Sequence, residues 1–302
     1  MTTGRPRRRW LGGETAGLLV LLIPYLVGIC ALVVLPALLT LGLSTFEYDL
    51  IRPPNFVGLE NFGALLGDVV FRTVLRNSLL FLVVAVPLRL VTVVGLALLL
   101  HRTSMRGGSA YRAAVFLPIV IPEVAFAIAW LWILNPLTGP ITVILSGLGL
   151  GHVPWLTDPG AAQAGMVLIS LFMIGEAFVI AIAARRSIPP DLYDMAVVDG
   201  ASSAALFRSI TLPMLLPVLV LLLLRDAVLA LQVTFVPTLV ITDGGPPPYA
   251  TTFGPLFIYQ QAFEYLRYGY AAAATAVFLA LTGLVVMLQV RVLRRWGQWA
   301  WA

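Results

Sequence analysis

Long apolar runs alternate with short polar segments along almost the whole chain of 302 residues. Six runs are long enough to cross a hydrocarbon core of about 30 Å as helices that rise about 1.5 Å per residue. They predict membrane spans at 15–43, 77–100, 113–135, 161–184, 213–241 and 269–292. We therefore expect an all-α membrane protein in which a single six-helix domain, 15–292, lies between the tails 1–14 and 293–302.

Composition and charge support a membrane protein and orient it. Hydrophobic residues make up 60% of the chain and charged residues only 11%, whereas about a quarter of a soluble domain is charged. All 19 basic residues are arginine; with the N-terminus inside, thirteen lie in inner segments and four in outer ones. Because basic residues collect on the cytoplasmic side, both termini and the segment 185–212 are predicted to be cytoplasmic.

The same residue counts argue against several enzyme classes. Without lysine the chain has neither a P-loop nor a Schiff-base nucleophile, and Cys30 alone forms no intrachain disulfide. An intramembrane serine protease needs a histidine at membrane depth, but His101 and His152 lie in different loops. An aspartyl protease needs two aspartates in the spans, and only Asp226 lies in one. The sequence predicts no catalytic residue, no metal site and no cofactor bound by this chain.

A polar segment, Ser187–Pro213, interrupts the apolar pattern between the fourth and fifth predicted spans. Pro190 and Asp191 suit the first turn of a helix, Leu192 and Met195 begin an apolar stripe at helical spacing, and Gly200 suits its end. Ser202 is expected to cap a second short helix that runs to Pro213. A short amphipathic helix outside the membrane offers a contact surface for another protein.

The spacing in this segment resembles a motif of one transporter family. Asp194-Met195-Ala196, three residues, Gly200, nine residues and then Ile210-Thr211-Leu212-Pro213 resemble the cytoplasmic loop of permease subunits in binding-protein-dependent ABC importers. Asp194 and Met195 depart from the Glu and Ala of that motif. Further similar segments are FVGLENF at 56–62, T-x-G-G-P at 242–246 and GYAAA at 269–273. Together they resemble the maltose-type carbohydrate uptake permeases, which have a MetI-like transmembrane domain.

The resemblance implies a set of partners and a location. The expected assembly contains a second permease, related but different, two ATP-binding-cassette subunits that bind ATP and Mg, and an extracytoplasmic solute-binding protein. It lies in a prokaryotic inner or plasma membrane, where this multi-pass chain forms half of the path for a sugar or sugar-like solute. The residues expected to couple to the ATPases are Asp191, Leu192, Tyr193, Asp194, Met195, Ala196, Asp199, Gly200 and Ala201.

Five ionisable residues fall inside the predicted spans, about 12 to 20 Å from their cytoplasmic ends at 1.5 Å per residue. They are Arg89, Glu123, Glu176, Arg225 and Asp226. Charges at membrane depth face the bundle interior or a wet cavity. Two interpretations stay open: carboxylates pair with arginines and fix helix register, or some of these side chains bind the hydroxyls of a solute. We expect Glu176 to face the cavity.

Sugar sites combine polar groups with flat aromatic faces, and the resemblance favours the later helices for solute contact. The expected solute-path residues are Glu176, Phe172, Phe178, Arg225, Gln232, Phe235 and Tyr259; packing is the alternative role for the aromatic ones. Two other functions remain as alternatives. One is an ABC permease for a non-sugar polar solute, and the other is a self-sufficient secondary transporter with an ion site at Glu123 or Glu176.

Overall fold

A computed structural model describes residues 12–101, 108–149, 151, 153–232, 235–246 and 249–300. Several residues of the sequence argument lie outside the described part. They are Arg5, Arg7, Arg8, Arg9, Arg102, Arg106 and His152, and the side chains of Arg294 and Arg295. Because these arginines belong to the predicted inner set, the membrane orientation stays a prediction.

The described residues are mainly helical. The helices before residue 150 are α1 (Gly12–Ile29), α2 (Leu35–Leu43), α3 (Glu60–Gly67), α4 (Val69–Leu100), α5 (Gly108–Phe116), α6 (Glu123–Ile133) and α7 (Pro140–Gly147). Those after it are α8 (Pro159–Ser170), α9 (Gly175–Arg186), α10 (Pro190–Val198), α11 (Ser203–Leu206), α12 (Leu212–Ala230), α13 (Phe235–Pro237), α14 (Gly254–Tyr259) and α15 (Tyr268–Ala300). Two short antiparallel strands, β1 (Phe46–Glu47) and β2 (Asn55–Phe56), follow the first span.

Four stretches of continuous helix are long and apolar enough to cross a membrane. They are Val20–Leu43, Val69–Leu100, Ser203–Ala230 and Tyr268–Val292. Two helix pairs have that length and composition only when counted together, so the described residues hold between four and six candidate spans. The six predicted spans are compatible with this range, and their number stays a prediction.

The third and fourth predicted spans are not straight helices. Between Gly108–Val120 and α6 the axis bends by 106°, and between α8 and α9 by 48°. The first break lies at Ile121, whose backbone is extended, with ψ at 131°. Pro122 follows it, and a proline disfavours helical backbone in the residue before it. The predicted span 113–135 is therefore interrupted near its middle, and whether it crosses a membrane stays a prediction.

The helix of the fifth predicted span begins earlier than predicted and is not continuous to residue 241. The Ser202 side chain accepts a hydrogen bond from the Ala205 amide at 3.3 Å, as expected of an N-cap. The helix that it caps does not stop at Pro213, because a π-helical turn at Phe207–Thr211 leads directly into α12. Continuous helix then ends at Ala230, and a second helical stretch, α13 followed by a π-helical turn at Thr238–Thr242, includes residue 241.

The second span begins eight residues before its predicted start. Asp68 caps α4, since its carboxylate accepts a hydrogen bond from the Val70 amide at 2.7 Å. Arg72 and Arg76, two of the arginines predicted to lie in outer segments, consequently lie in the first turns of this helix. Hydrophobicity alone did not reveal this start, although an aspartate before a helix is a frequent N-cap.

Helices α4, α9 and α12 pack against one another in the middle of the molecule. Val93, Phe178 and Leu222, one from each helix, belong to a single buried cluster. A second cluster holds Phe81 and Phe126 on the other side of the α8–α9 break. The break therefore lies between two packed layers, and it is there that the charged side chains meet.

Candidate functional site

A cavity of about 220 Å³ lies between the two packed layers. Most of its wall is apolar, and four charged side chains interrupt it. The lining residues are Phe81, Arg89, Ile119, Glu123, Phe126, Met166, Ile169, Ser170, Met173, Glu176, Arg225, Leu229, Ala230, Pro237 and Phe253. An apolar wall with a few convergent polar groups is typical of a small-molecule site.

Arg89 on α4 is held by a side chain of another helix and by a backbone carbonyl between two helices. Its Nε lies 3.6 Å from an Asp226 carboxylate oxygen on α12, and both side chains are nearly buried, with 11% and 4% exposed. Its Nη2 also donates to the Met173 carbonyl at 3.2 Å. That carbonyl lies in the break between α8 and α9, outside the regular hydrogen bonding of either helix. Arg89 therefore supplies a hydrogen-bond donor to backbone that the break exposes.

Arg225 joins this pair to a second carboxylate. It donates to Glu176 at the start of α9, in a hydrogen-bonded ion pair, and lies 3.8 Å from the other Asp226 oxygen. The Arg225 and Glu176 side chains are 35% and 51% exposed. Asp226 is buried behind them. The network is thus closed on the α4–α12 side and open to the cavity on the α9 side.

Glu123 is the fifth member of the predicted band and stands apart from the network. It begins α6, directly after Pro122, and its side chain lines the same cavity. Among the described residues, no arginine approaches it within 4.0 Å. The cavity therefore holds an acidic group whose charge no described neighbour balances.

Ion pairing within the charged band, the first of the two interpretations, is present in the structure, and solute binding by these side chains stays a prediction. Glu176 pairs with Arg225, which fixes α9 against α12, and the same pair lines the cavity. The sequence did not predict the pairing of Arg89 with Asp226, although it placed both residues at similar depth. In the described part of the chain, no three His, Cys, Asp or Glu side chains converge as metal ligands would.

The structure separates the other expected solute-path residues from this cavity. Phe178 is only 1% exposed and packs between helices. Phe172 packs against Trp130, with ring centroids 4.8 Å apart, and lies outside the lining. Phe235 and Tyr259 pack on each other at 5.0 Å.

Gln232 is exposed just after the end of α12 and is likewise absent from the cavity lining. The aromatic walls are instead Phe81, Phe126 and Phe253. Hydrophobic periodicity could not have selected Phe81 and Phe126, since nearly every face of α4 and α6 is apolar. Phe253 lies in extended backbone just before α14.

The segment expected to couple to ATPases forms a helix, α10, at Pro190–Val198. Pro190 opens it and Asp191 lies in its first turn, as the sequence indicated. It has no buried residue. An apolar ridge is exposed along one face of it, made of Leu192 at 39%, Met195 at 67% and Val198 at 86%. Val197, 57% exposed, lies on another face.

The end of α10 is a tight turn. Gly200 has φ at +81°, and the Ala201 amide donates to the Ala196 carbonyl at 2.9 Å. Asp191, Asp194 and Asp199 are all exposed. Three carboxylates therefore accompany the apolar ridge on the surface of this segment.

Tyr193 connects α10 to the helices on either side of it. Its hydroxyl forms a hydrogen bond with the Thr211 hydroxyl, at 2.9 Å, where the α11–α12 helix passes through its π-helical turn. The Arg185 guanidinium lies over its ring, 4.5 Å from the centroid, at the end of α9. Tyr193 thus packs inward while the apolar ridge stays exposed.

Comparison with known proteins gives the geometry a family context. Residues 104–297 match the model of the family described as the inner membrane component of binding-protein-dependent transport systems. The chain is 30% identical over 291 residues to a sulfoquinovosyl glycerol transport system permease protein of Agrobacterium fabrum, covering 95% of this chain and 93% of that one. It is 31% identical over 283 residues to a trehalose/maltose transport system permease protein of Thermococcus litoralis, covering 91% and 94%.

A solved structure agrees with these relatives. A chain of a bacterial alginate ABC transporter, in complex with a periplasmic protein that holds an alginate pentasaccharide, superposes with a TM-score of 0.82 at 25% identity. The superposition covers 96% of this chain and 98% of that one. The family match spans more than half of the sequence and the relatives span nearly all of it. The chain belongs to the binding-protein-dependent transport system inner membrane component family.

Proposed function

We propose that this chain is a permease subunit of an ATP-binding-cassette importer and forms half of the path of a sugar or sugar-like solute across a prokaryotic cell membrane. The permeases similar to it include proteins for sulfoquinovosyl glycerol and for trehalose and maltose. The cavity suits such a solute because charged and hydroxyl groups in its wall can bind hydroxyls, while Phe81, Phe126 and Phe253 offer apolar faces.

One observation carries the coupling part of this proposal. Helix α10 is linked through Tyr193 to the end of α9 and to the start of the α11–α12 helix. Helix α9 carries Glu176 and α12 carries Arg225, the two partners that face the cavity. A displacement of α10 is therefore transmitted along both helices to the Glu176–Arg225 pair.

The force on α10 has to come from another protein, because this chain has no lysine and hence no P-loop. The exposed ridge of Leu192, Met195 and Val198 is the surface that we assign to an ATPase subunit. When two such subunits close on ATP and Mg, α10 moves with one of them. A second permease completes the solute path, and an extracytoplasmic binding protein delivers the solute.

Uptake by the reconstituted complex tests the proposal against the secondary-transporter alternative. Proteoliposomes contain this chain, its partner permease and either active or hydrolysis-deficient ATPase subunits, with the binding protein and labelled sugars added outside. We expect uptake only with active ATPase and ATP, regardless of ion gradients. Uptake that follows an ion gradient with the deficient ATPase would contradict the proposal, and ATP-driven uptake of a non-sugar solute alone would identify the other permease class.

The Glu176→Gln variant tests whether the cavity belongs to the solute path. The amide keeps the side-chain size but weakens the hold on Arg225. It also removes a charged acceptor for solute hydroxyls. We expect uptake to fall at least about tenfold, since a charged hydrogen bond to the solute is worth about 1.5–3 kcal/mol. The control is Glu60→Gln on α3, which lies outside the cavity lining. Uptake by Glu176→Gln at the wild-type rate and apparent affinity would remove Glu176 from the path.

A further inference from the structure

The charges around the cavity are unequal in number. Three carboxylates and two arginines belong to the cavity wall and to the network directly behind it. Arg89 is occupied by Asp226 and by the Met173 carbonyl. Arg225 is occupied by Glu176 and by Asp226.

Glu123 is the carboxylate left over. It lines the cavity from α6, and no cation of the described chain lies within 4.0 Å of it. Neither arginine is available to form an ion pair with Glu123, because each is already paired with another carboxylate. In a largely apolar enclosure a single unbalanced charge is screened far less than at a surface.

We propose that Glu123 is a specificity-determining residue of the cavity, which it makes selective for neutral or amino-substituted polyols over acidic ones. This inference rests on the proposed function. The Glu123 carboxylate accepts hydrogen bonds from solute hydroxyls or from an ammonium group, which are donors. A carboxylate, phosphate or sulfonate on the solute brings acceptors and a second negative charge, so it is repelled.

The family does not decide this point. The similar proteins include one for trehalose and maltose and one for alginate, which is an acidic polysaccharide. Neutral and acidic solutes are therefore both compatible with the fold. The excess of negative charge around the cavity of this chain favours neutral solutes over acidic ones and is compatible with a solute that carries a positive charge.

Charged thiol reagents measure this property without requiring transport. Ser170 lines the cavity from α8, and Ser170→Cys in a Cys30→Ser background gives this chain a single thiol at that wall. The assembled complex, with partner subunits freed of cysteine, is treated with cationic, anionic or neutral methanethiosulfonates. We expect the cationic reagent to react roughly ten to a hundred times faster than the anionic one, once each rate is divided by its rate with free thiol.

Substitutions at Glu123 assign the effect to its charge. Glu123→Gln is expected to lower the cationic-to-anionic rate ratio at least about tenfold, whereas Glu123→Asp preserves it. Glu60→Gln makes the same charge change outside the cavity and leaves the ratio unchanged. A ratio near one with Glu123 present, or a ratio that Glu123→Gln does not alter in a monodisperse complex, would overturn the proposal.

Protection of the same thiol tests the solute class. Glucose, glucosamine and glucuronate compete with the neutral reagent for the thiol of the Ser170→Cys variant in the absence of binding protein. We expect glucose and glucosamine to protect at concentrations at least about tenfold below glucuronate, and Glu123→Gln to narrow that gap. Equal or better protection by glucuronate would overturn the proposal. A high reagent ratio without protection by any sugar would support the charge assignment and count against the proposed sugar path.

Discussion

The buried ion pair between Arg89 and Asp226 is the feature whose loss should cost the most stability. At the observed 3.6 Å, Coulomb's law with an effective dielectric constant of about 20 gives an attraction of about 4.6 kcal/mol. Asp226→Asn removes this attraction and leaves Arg89 charged and 11% exposed. Breaking a buried pair on one side typically costs about 3–5 kcal/mol, and we expect that loss of unfolding free energy.

Two further variants separate this effect from a general sensitivity of the bundle. Glu176→Gln weakens a pair whose carboxylate is 51% exposed, so its cost should stay below about 1 kcal/mol. Arg89→Met combined with Asp226→Leu removes both buried charges together, while Arg225 retains its ion pair with Glu176. Because hydrophobic replacements for a buried pair are often neutral, the double variant should recover most of the loss.

Equilibrium unfolding of the purified complex in mixed detergent micelles, followed by tryptophan fluorescence, measures these differences. Trp130 is 4% exposed and reports on the packed layer beside the cavity. An Asp226→Asn loss below about 1 kcal/mol would refute the reasoning. So would an Arg89→Met/Asp226→Leu variant whose loss equals the sum of the losses of Arg89→Met alone and Asp226→Leu alone, since that cycle would then show no coupling.

Three other variants test the packing and the α10 linkage. Gly175→Val should lower stability by about 1–3 kcal/mol, because a Cβ there would lie 3.1 Å from Phe116 backbone atoms; an unchanged thermal midpoint would contradict this close approach. Tyr193→Phe and Thr211→Val each break the 2.9 Å hydrogen bond, so both should lower solute transported per ATP hydrolysed and the double variant should add nothing. Gly200 has φ at +81°, so Gly200→Val should block assembly or uncouple uptake from ATP hydrolysis. Gly200→Asn should be less disruptive, because asparagine tolerates a left-handed backbone better than valine does. Full coupling in Gly200→Val would count against the role of this turn.

The length and apolarity of the runs were enough to predict a helical membrane protein, but not where its helices break. The break at Ile121 could have been inferred from Pro122, because a proline disfavours helical backbone in the residue before it. The break after Ser170 has no proline, and close packing of Gly175 against Phe116 accompanies it. Such a contact depends on which helices meet, which one sequence does not specify.

The short helix α10 was predictable because its signals are local. Pro190, Asp191 and Gly200 each act on their own turn of backbone, and the structure has a helix between them. The cavity was predicted less completely. Residue depth along the predicted spans placed Glu176 and Arg225 in one layer of the membrane. Depth does not give the direction in which a side chain points around its helix. Phe178 was therefore predicted to line the solute path, whereas in the structure it is buried between helices.

The function of α10 as the contact with the ATPase can be tested by cross-linking. Met195 is 67% exposed on the ridge, and Met195→Cys in the Cys30→Ser background places one thiol there. Leu137→Cys, 82% exposed after α6, is the matched site predicted to lie on the other side of the membrane. Capture of the ATPase subunit from position 195 and not from 137, with a yield that changes when ATP binds, is the predicted result. Absence of capture from 195 in an assembled complex, or labelling of that thiol by an impermeant reagent outside intact cells, would contradict the account.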